Sequence, residues 1–116
     1  MSKEQQIQEI EQSIQGARIT VELGNALARL HSNRDFKKVV LDGYFRDEAV
    51  RLVHLLSDPN MQTPDKQATI LSDIRSIGAL GSFFKTLEFR ADLARKSIVF
   101  DEQTRDELTQ GEEDGR

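Results

Sequence analysis

The sequence predicts an all-α protein: an elongated helical hairpin or bundle of two long helices plus two short ones, with an N-terminal coiled-coil arm. Three observations predict it. Near the start, Ile7, Ile10, Ile14, Ala17, Val21, Gly24, Ala28 and His31 follow one another at alternating spacings of three and four residues, which lays them on one narrow stripe of an α-helix. Later, Ile70, Ile74, Ile77, Leu80, Phe84, Leu87, Ala91, Ala94 and Ile98 keep the same period without a break. Nowhere does the chain show the strict apolar–polar alternation of a strand.

Residues 3–31 read as one helix, free of proline and ~40 Å long at 1.5 Å per residue. Its seam residues shrink from isoleucine to alanine and glycine, while a second stripe emerges through Ile19, Leu23, Leu27 and Leu30. Two readings of the seam stand side by side. It pairs with a second copy, for which the β-branched Ile7, Ile14 and Val21 suit a parallel two-stranded coil, or it folds into an antiparallel hairpin within the chain. The expectation adopted is self-association through Ile7, Ile10, Ile14, Ala17 and Val21.

A short helix pair is expected over residues 33–57. Asn33 suits an N-cap, Phe36, Val39 and Val40 share a face, and Gly43 suits a C-terminal cap. The following helix buries Ala49, Leu52, Val53 and Leu56 and stops at Ser57-Asp58-Pro59-Asn60. Thr63-Pro64-Asp65 then carries three start signals in a row: a capping hydroxyl, proline at the first helical position, and a carboxylate near the positive helix end. The helix it opens is expected to run to about residue 100. Gly78 and Gly81 lie inside it at a cost of about 1 kcal/mol each in helix propensity. Close approach of another helix would offset that cost, and Gly24 supplies a matching small position. Residues 1–100 thus form a single helical domain, followed by an acidic, partly disordered tail over 101–116.

Composition narrows the function. The 116 residues are 37% hydrophobic and 31% charged, without cysteine, so neither disulfides nor thiolate chemistry are available. No apolar run is long enough to cross a bilayer and the polar first residues do not form a signal peptide, so a soluble, cytoplasmic protein is expected. The net charge of −4 is uneven: Asp101, Glu102, Asp106, Glu107, Glu112, Glu113 and Asp114 stand against Arg105 and Arg116 in the tail, while the preceding residues are close to neutral. Nucleic-acid binding, which draws its affinity from a basic surface, is disfavoured. The acidic tail is read as a solvated terminus, with a basic partner as its alternative.

No constellation carries chemistry. His31 and His54 belong to no metal-ligand spacing, Asp42, Asp47, Glu48 and Asp58 fit a solvated helix face, and Gly78-Ala-Leu-Gly81 has neither the strand before it nor the lysine after it that a phosphate loop requires. No catalytic, metal or cofactor residues are assigned. Arg29, Arg34, Lys37 and Lys38 form a small basic cluster around Phe36, interleaved with acids. Phe83 and Phe84 point about 100° apart on a helix, so one of them meets a partner or else the core face is broad. Phe83 and Phe89 are the expected partner-binding residues.

The central block from Asn33-Arg-Asp-Phe36 through Gly43-Tyr44-Phe45-Arg-Asp-Glu48-Ala49, the Pro59 loop, and Ile74-Arg-Ser-Ile77-Gly78-Ala-Leu80 with Phe84 resembles a group of small helical proteins of tailed bacteriophages encoded near head and packaging genes. The resemblance covers about residues 20–108 and brings no catalytic or ligand residues with it. It implies a non-enzymatic virion assembly or head/packaging accessory protein, acting on itself as a homo-oligomer and on other phage structural proteins, without a membrane. Its expected place is the host cytoplasm during assembly, or the virion. A small phage regulator that inhibits a host protein and a packaging-type DNA-binding subunit are the alternatives.

Overall fold

A computed structural model describes residues 2–114. It is all-α, with no strand among the described residues. The elements are α1 (Lys3–Ser32), α2 (Arg34–Phe36), a π-helix (Lys37–Glu48), α3 (Ala49–Leu56), a 3-10 turn (Pro59–Met61) and α4 (Pro64–Asp114). They divide into two compact units: the first combines the chain up to Ala26 with the chain from Leu87 onward, and the second is Leu27–Thr86. Both long helices contribute to each unit.

The start signals operate as physical caps. Ser2 Oγ accepts from the Gln5 amide at 3.1 Å while Gln5 Oε1 accepts from the Ser2 amide at 3.3 Å, the reciprocal pair of a capping box. Asn33 Oδ1 accepts from Phe36 N at 2.9 Å, and Thr63 Oγ1 accepts from Lys66 N at 3.4 Å. Between α3 and α4, Gln62 Nε2 donates to the carbonyls of Leu56 and Asp58, and Gln67 Nε2 donates to those of Leu56 and Met61. Carbonyls that the helix end leaves without partners are thereby satisfied over a short connection.

In the first unit α1 and α4 run antiparallel. Ser13 Oγ donates to Asp101 Oδ2 at 2.8 Å and Arg18 faces Glu102 at 3.7 Å, while farther along α1 Asn25 Oδ1 accepts from Arg95 Nη2 at 2.8 Å, earlier on α4. Ile14 is 2% exposed and Ala91 and Ala94 are buried, which places the seam of α1 on α4 of the same chain. The adopted expectation of self-association through this seam is therefore corrected. Ile14 and Gly24 are buried, Ile7, Ile10, Ala17 and Val21 half-buried, all within one copy, and the intramolecular hairpin is the arrangement that uses them.

The glycine expectation divides in two. A Cβ built on Gly24 would stand 2.3 Å from the Ala91 Cβ, far inside van der Waals contact, so the backbones approach here as only glycine permits. At Gly78 a Cβ would meet nothing within 4 Å, and at Gly81 it would make an ordinary 3.6 Å contact with the Phe45 ring. The expected close approach at Gly78 and Gly81 is thus corrected to Gly24 against Ala91.

The second unit packs Leu52, Ile70 and Ile77 with Tyr44, Phe45, Ala49, Leu55, Leu56, Met61 and Ile74 around them. Here the expected pair of helices broken at Gly43 is corrected: backbone from Arg34 to Leu56 is helical throughout, Gly43 has no positive φ, and residues 37–48 are π-helical. A side-chain requirement accounts for this. Phe36 and Phe45 both pack on Phe84, with ring centroids 6.2 and 6.0 Å away. Nine residues of α-helix would turn them to opposite faces, whereas at about 4.4 residues per π-turn they return to one face. Gly43 suits the wide turn, because a Cβ there would lie 3.2 Å from the Lys38 carbonyl oxygen. The same change of period exposes Val39, expected inside with Phe36; Val53 is also exposed, and Leu55 joins the core in its place.

The expected end of the last helix near residue 100 is corrected as well. Helix α4 continues to Asp114 because residues 101–111 still have α1 beside them: Asp101 holds Ser13, Glu102 faces Arg18, and Lys3 Nζ reaches the Gly111 position. Disorder is expected from Gly111 onward, but the backbone is helical through Asp114; residues 115–116 lie outside the described residues.

Gly24→Ala is expected to destabilise the protein by about 1–3 kcal/mol through overpacking, despite alanine's better helix propensity. Gly78→Ala, with open space for the methyl, is expected to stabilise it by about 1 kcal/mol. Urea denaturation of the two variants checks the pair, and a stabilised Gly24→Ala would refute the close contact.

Candidate functional site

Among the described residues no group of three His, Asp or Glu is placed to hold a metal ion. His54 is exposed, and His31 sits among aromatic rings, 5.7 Å from Phe36 and 5.4 Å from Phe84 between centroids. The carboxylates around Gly43 are engaged by arginines: Arg46 bridges Asp42 and Asp47, and Arg51 binds Glu48. The hydrogen bond from Arg51 holds the Glu48 carboxyl below its ordinary value. Arg46 is likewise raised by its hydrogen bond to Asp47. These pairs stand in water on helix surfaces, where ion pairs contribute little.

Phe83 and Phe84 part as helix geometry requires. Phe84 is the hub of the aromatic cluster in the second unit, touching His31, Phe36, Phe45 and Phe83. Phe83 is 54% exposed, and Phe89 in the first unit is 64% exposed. The expected partner-binding pair therefore stands in solvent on α4. Groove-lining residues in the second unit include Leu52, Leu55, Met61 and Ile70, rimmed by Arg51, Asp65, Lys66 and Asp73, around an open volume of about 270 Å³. Apolar side chains form its floor, and charges of both signs its edge.

Sequence reasoning missed the remaining exposed apolar surface of the first unit. On α4 this comprises Leu93, Val99 and Phe100 beside Phe89; on α1 it comprises Ile19 and Leu23. The signal was present. Phe89, Leu93, Lys96 and Phe100 are spaced four, three and four, a second heptad stripe on the helix whose first stripe is buried. Ile19 and Leu23 belong to the second α1 stripe, which reaches a core only at Leu27. Of the basic cluster, Arg34, Lys37 and Lys38 are exposed around Phe36.

No helix among the described residues is long and apolar enough to cross a membrane. No protein-family model, curated protein or solved structure matches the chain.

Removing the hub ring should cost more than removing its sequence neighbour. Phe84→Ala is expected to destabilise the protein by about 3 kcal/mol and Phe83→Ala by less than about 1 kcal/mol. Chemical denaturation measures both; equal losses would show that Phe84 does not organise the cluster.

Proposed function

We propose that the chain is a non-enzymatic assembly or accessory protein of a tailed-phage particle or its packaging apparatus, acting through helix surfaces on other structural proteins of that particle. The observation that carries the reading is the outward apolar face of α4. Phe89, Leu93 and Phe100 stand in water on the side of the helix opposite Ala91 and Ala94. Large aromatic side chains bring 150–250 Å² each to a contact, and contiguous exposed apolar surface is the mark of a protein partner. The resemblance of the central block to proteins encoded near head and packaging genes supplies the phage context. In this reading the protein works in the host cytoplasm while particles assemble.

The test is complementation of a phage lacking the gene, with particles counted by electron microscopy. Phe83→Ser with Phe89→Ser is expected to lower the yield of filled heads at least tenfold while circular dichroism and thermal midpoint stay near the parent's. His54→Ala is expected to complement fully. Normal heads and packaged DNA in the deletion, together with an altered host enzyme activity, would replace the assembly role by inhibition of a host protein.

A further inference from the structure

We propose that the outer face of α4 in the first unit pairs with the same face of a second copy, antiparallel about a two-fold axis passing near residues 94 and 95. Three observations lead there. The face is built as a coiled-coil seam: Phe89, Leu93, Lys96, Phe100, Gln103 and Glu107 continue at spacings of four and three, with Val99 on its flank. Its apolar members, Phe89, Leu93, Val99 and Phe100, are 49–67% exposed although the opposite face of the helix is buried.

Charge selects the occupant and its direction. Of the cations between Phe89 and Phe100, Lys96 occupies a seam position, whereas Arg90 and Arg95 do not. A parallel pair would set Lys96 against Lys96 of the other copy, bringing like charges together in an apolar seam. Antiparallel pairing instead matches Phe89 with Phe100 and Leu93 with Lys96, and carries each ammonium to Asp92 of the opposite copy, one residue before Leu93. The Asp92 side chain is 68% exposed and holds Arg95 of its own chain at 2.7 Å, which leaves carboxylate acceptor capacity for the lysine. Every contact occurs twice, as a two-fold interface requires, and the surface is complementary to itself. Unlike the seam of α1, where Ile14 is buried, this face is exposed within the chain. The pairing deepens the assembly reading by naming a second copy as the protein that covers this face, and it is measured on purified protein, so its failure is distinct from a failure of complementation.

The experiment is the solution mass of the full chain by analytical ultracentrifugation, expected at twice the 13.2 kDa of one copy. Phe89→Asp with Phe100→Asp should halve the mass with helicity retained, and Lys96→Glu, an exposed single substitution, should weaken the dimer at least tenfold. Orientation is read from disulfides, since the chain has no cysteine of its own. A mixture of Leu93→Cys and Lys96→Cys chains should cross-link to each other, whereas Gln103→Cys should not cross-link to itself. A monomer at 100 μM would overturn the proposal. So would a dimer unchanged by both sets of charges but lost on Ile19→Asp with Leu23→Asp, or ready self-linking of Gln103→Cys.

Discussion

The contact between Gly24 and Ala91 sets the distance between α1 and α4 in the first unit. A side chain at position 24 would overlap the Ala91 methyl, so the helices meet nearly backbone to backbone at that level. Ala91 and Ala94 are buried with almost no side-chain volume, and farther from this point the larger Ile14 fills the gap. Within the first unit the α1 seam passes from isoleucine at 7, 10 and 14 to glycine at 24, in keeping with the close approach at that level.

A different constraint governs the second unit. One ring, Phe84, has to be reached from two positions nine residues apart, and an α-helix cannot present both. The π-helical stretch resolves the conflict by widening its turn, and Gly43 accommodates the carbonyl that this brings close. A π-helix is a weaker backbone arrangement than an α-helix and persists where side-chain packing compensates. Phe36, Phe45, His31 and Phe84, in edge and tilted contacts, supply that packing.

Much of the fold was legible because it rests on periodicity and capping. All nine residues expected on the inner face of α4, from Ile70 to Ile98, are buried or half-buried, and Asn33 and Thr63 cap as their chemistry predicts. Legibility failed where one local rule was applied past its range. A period of 3.6 residues misplaced Val39, since the chain there turns in wider steps, and a glycine before two aromatics looked like a helix end. The thinning apolar pattern after Phe100 suggested a loose tail, whereas polar pairs such as Ser13 with Asp101 accompany the helix onward. Heptad spacing on α1 was correctly read as a demand for a partner helix but says nothing of whose helix it is. The exposed stripe on α4 was hidden by the stronger stripe behind it on the same helix, and only burial separates the two.

In the first unit α4 buries one face, through Ala91 and Ala94, and leaves the other, through Phe89, Leu93 and Phe100, exposed. Everything in this account rests on the α1 seam being satisfied within its own chain. The most direct test is Ser13→Cys with Asp101→Cys, placed where the two side chains now share a 2.8 Å hydrogen bond. Oxidised at high dilution and analysed under non-reducing conditions, the variant should form an intrachain disulfide in each copy. Disulfide-linked dimers, with no intrachain bond, would contradict the account.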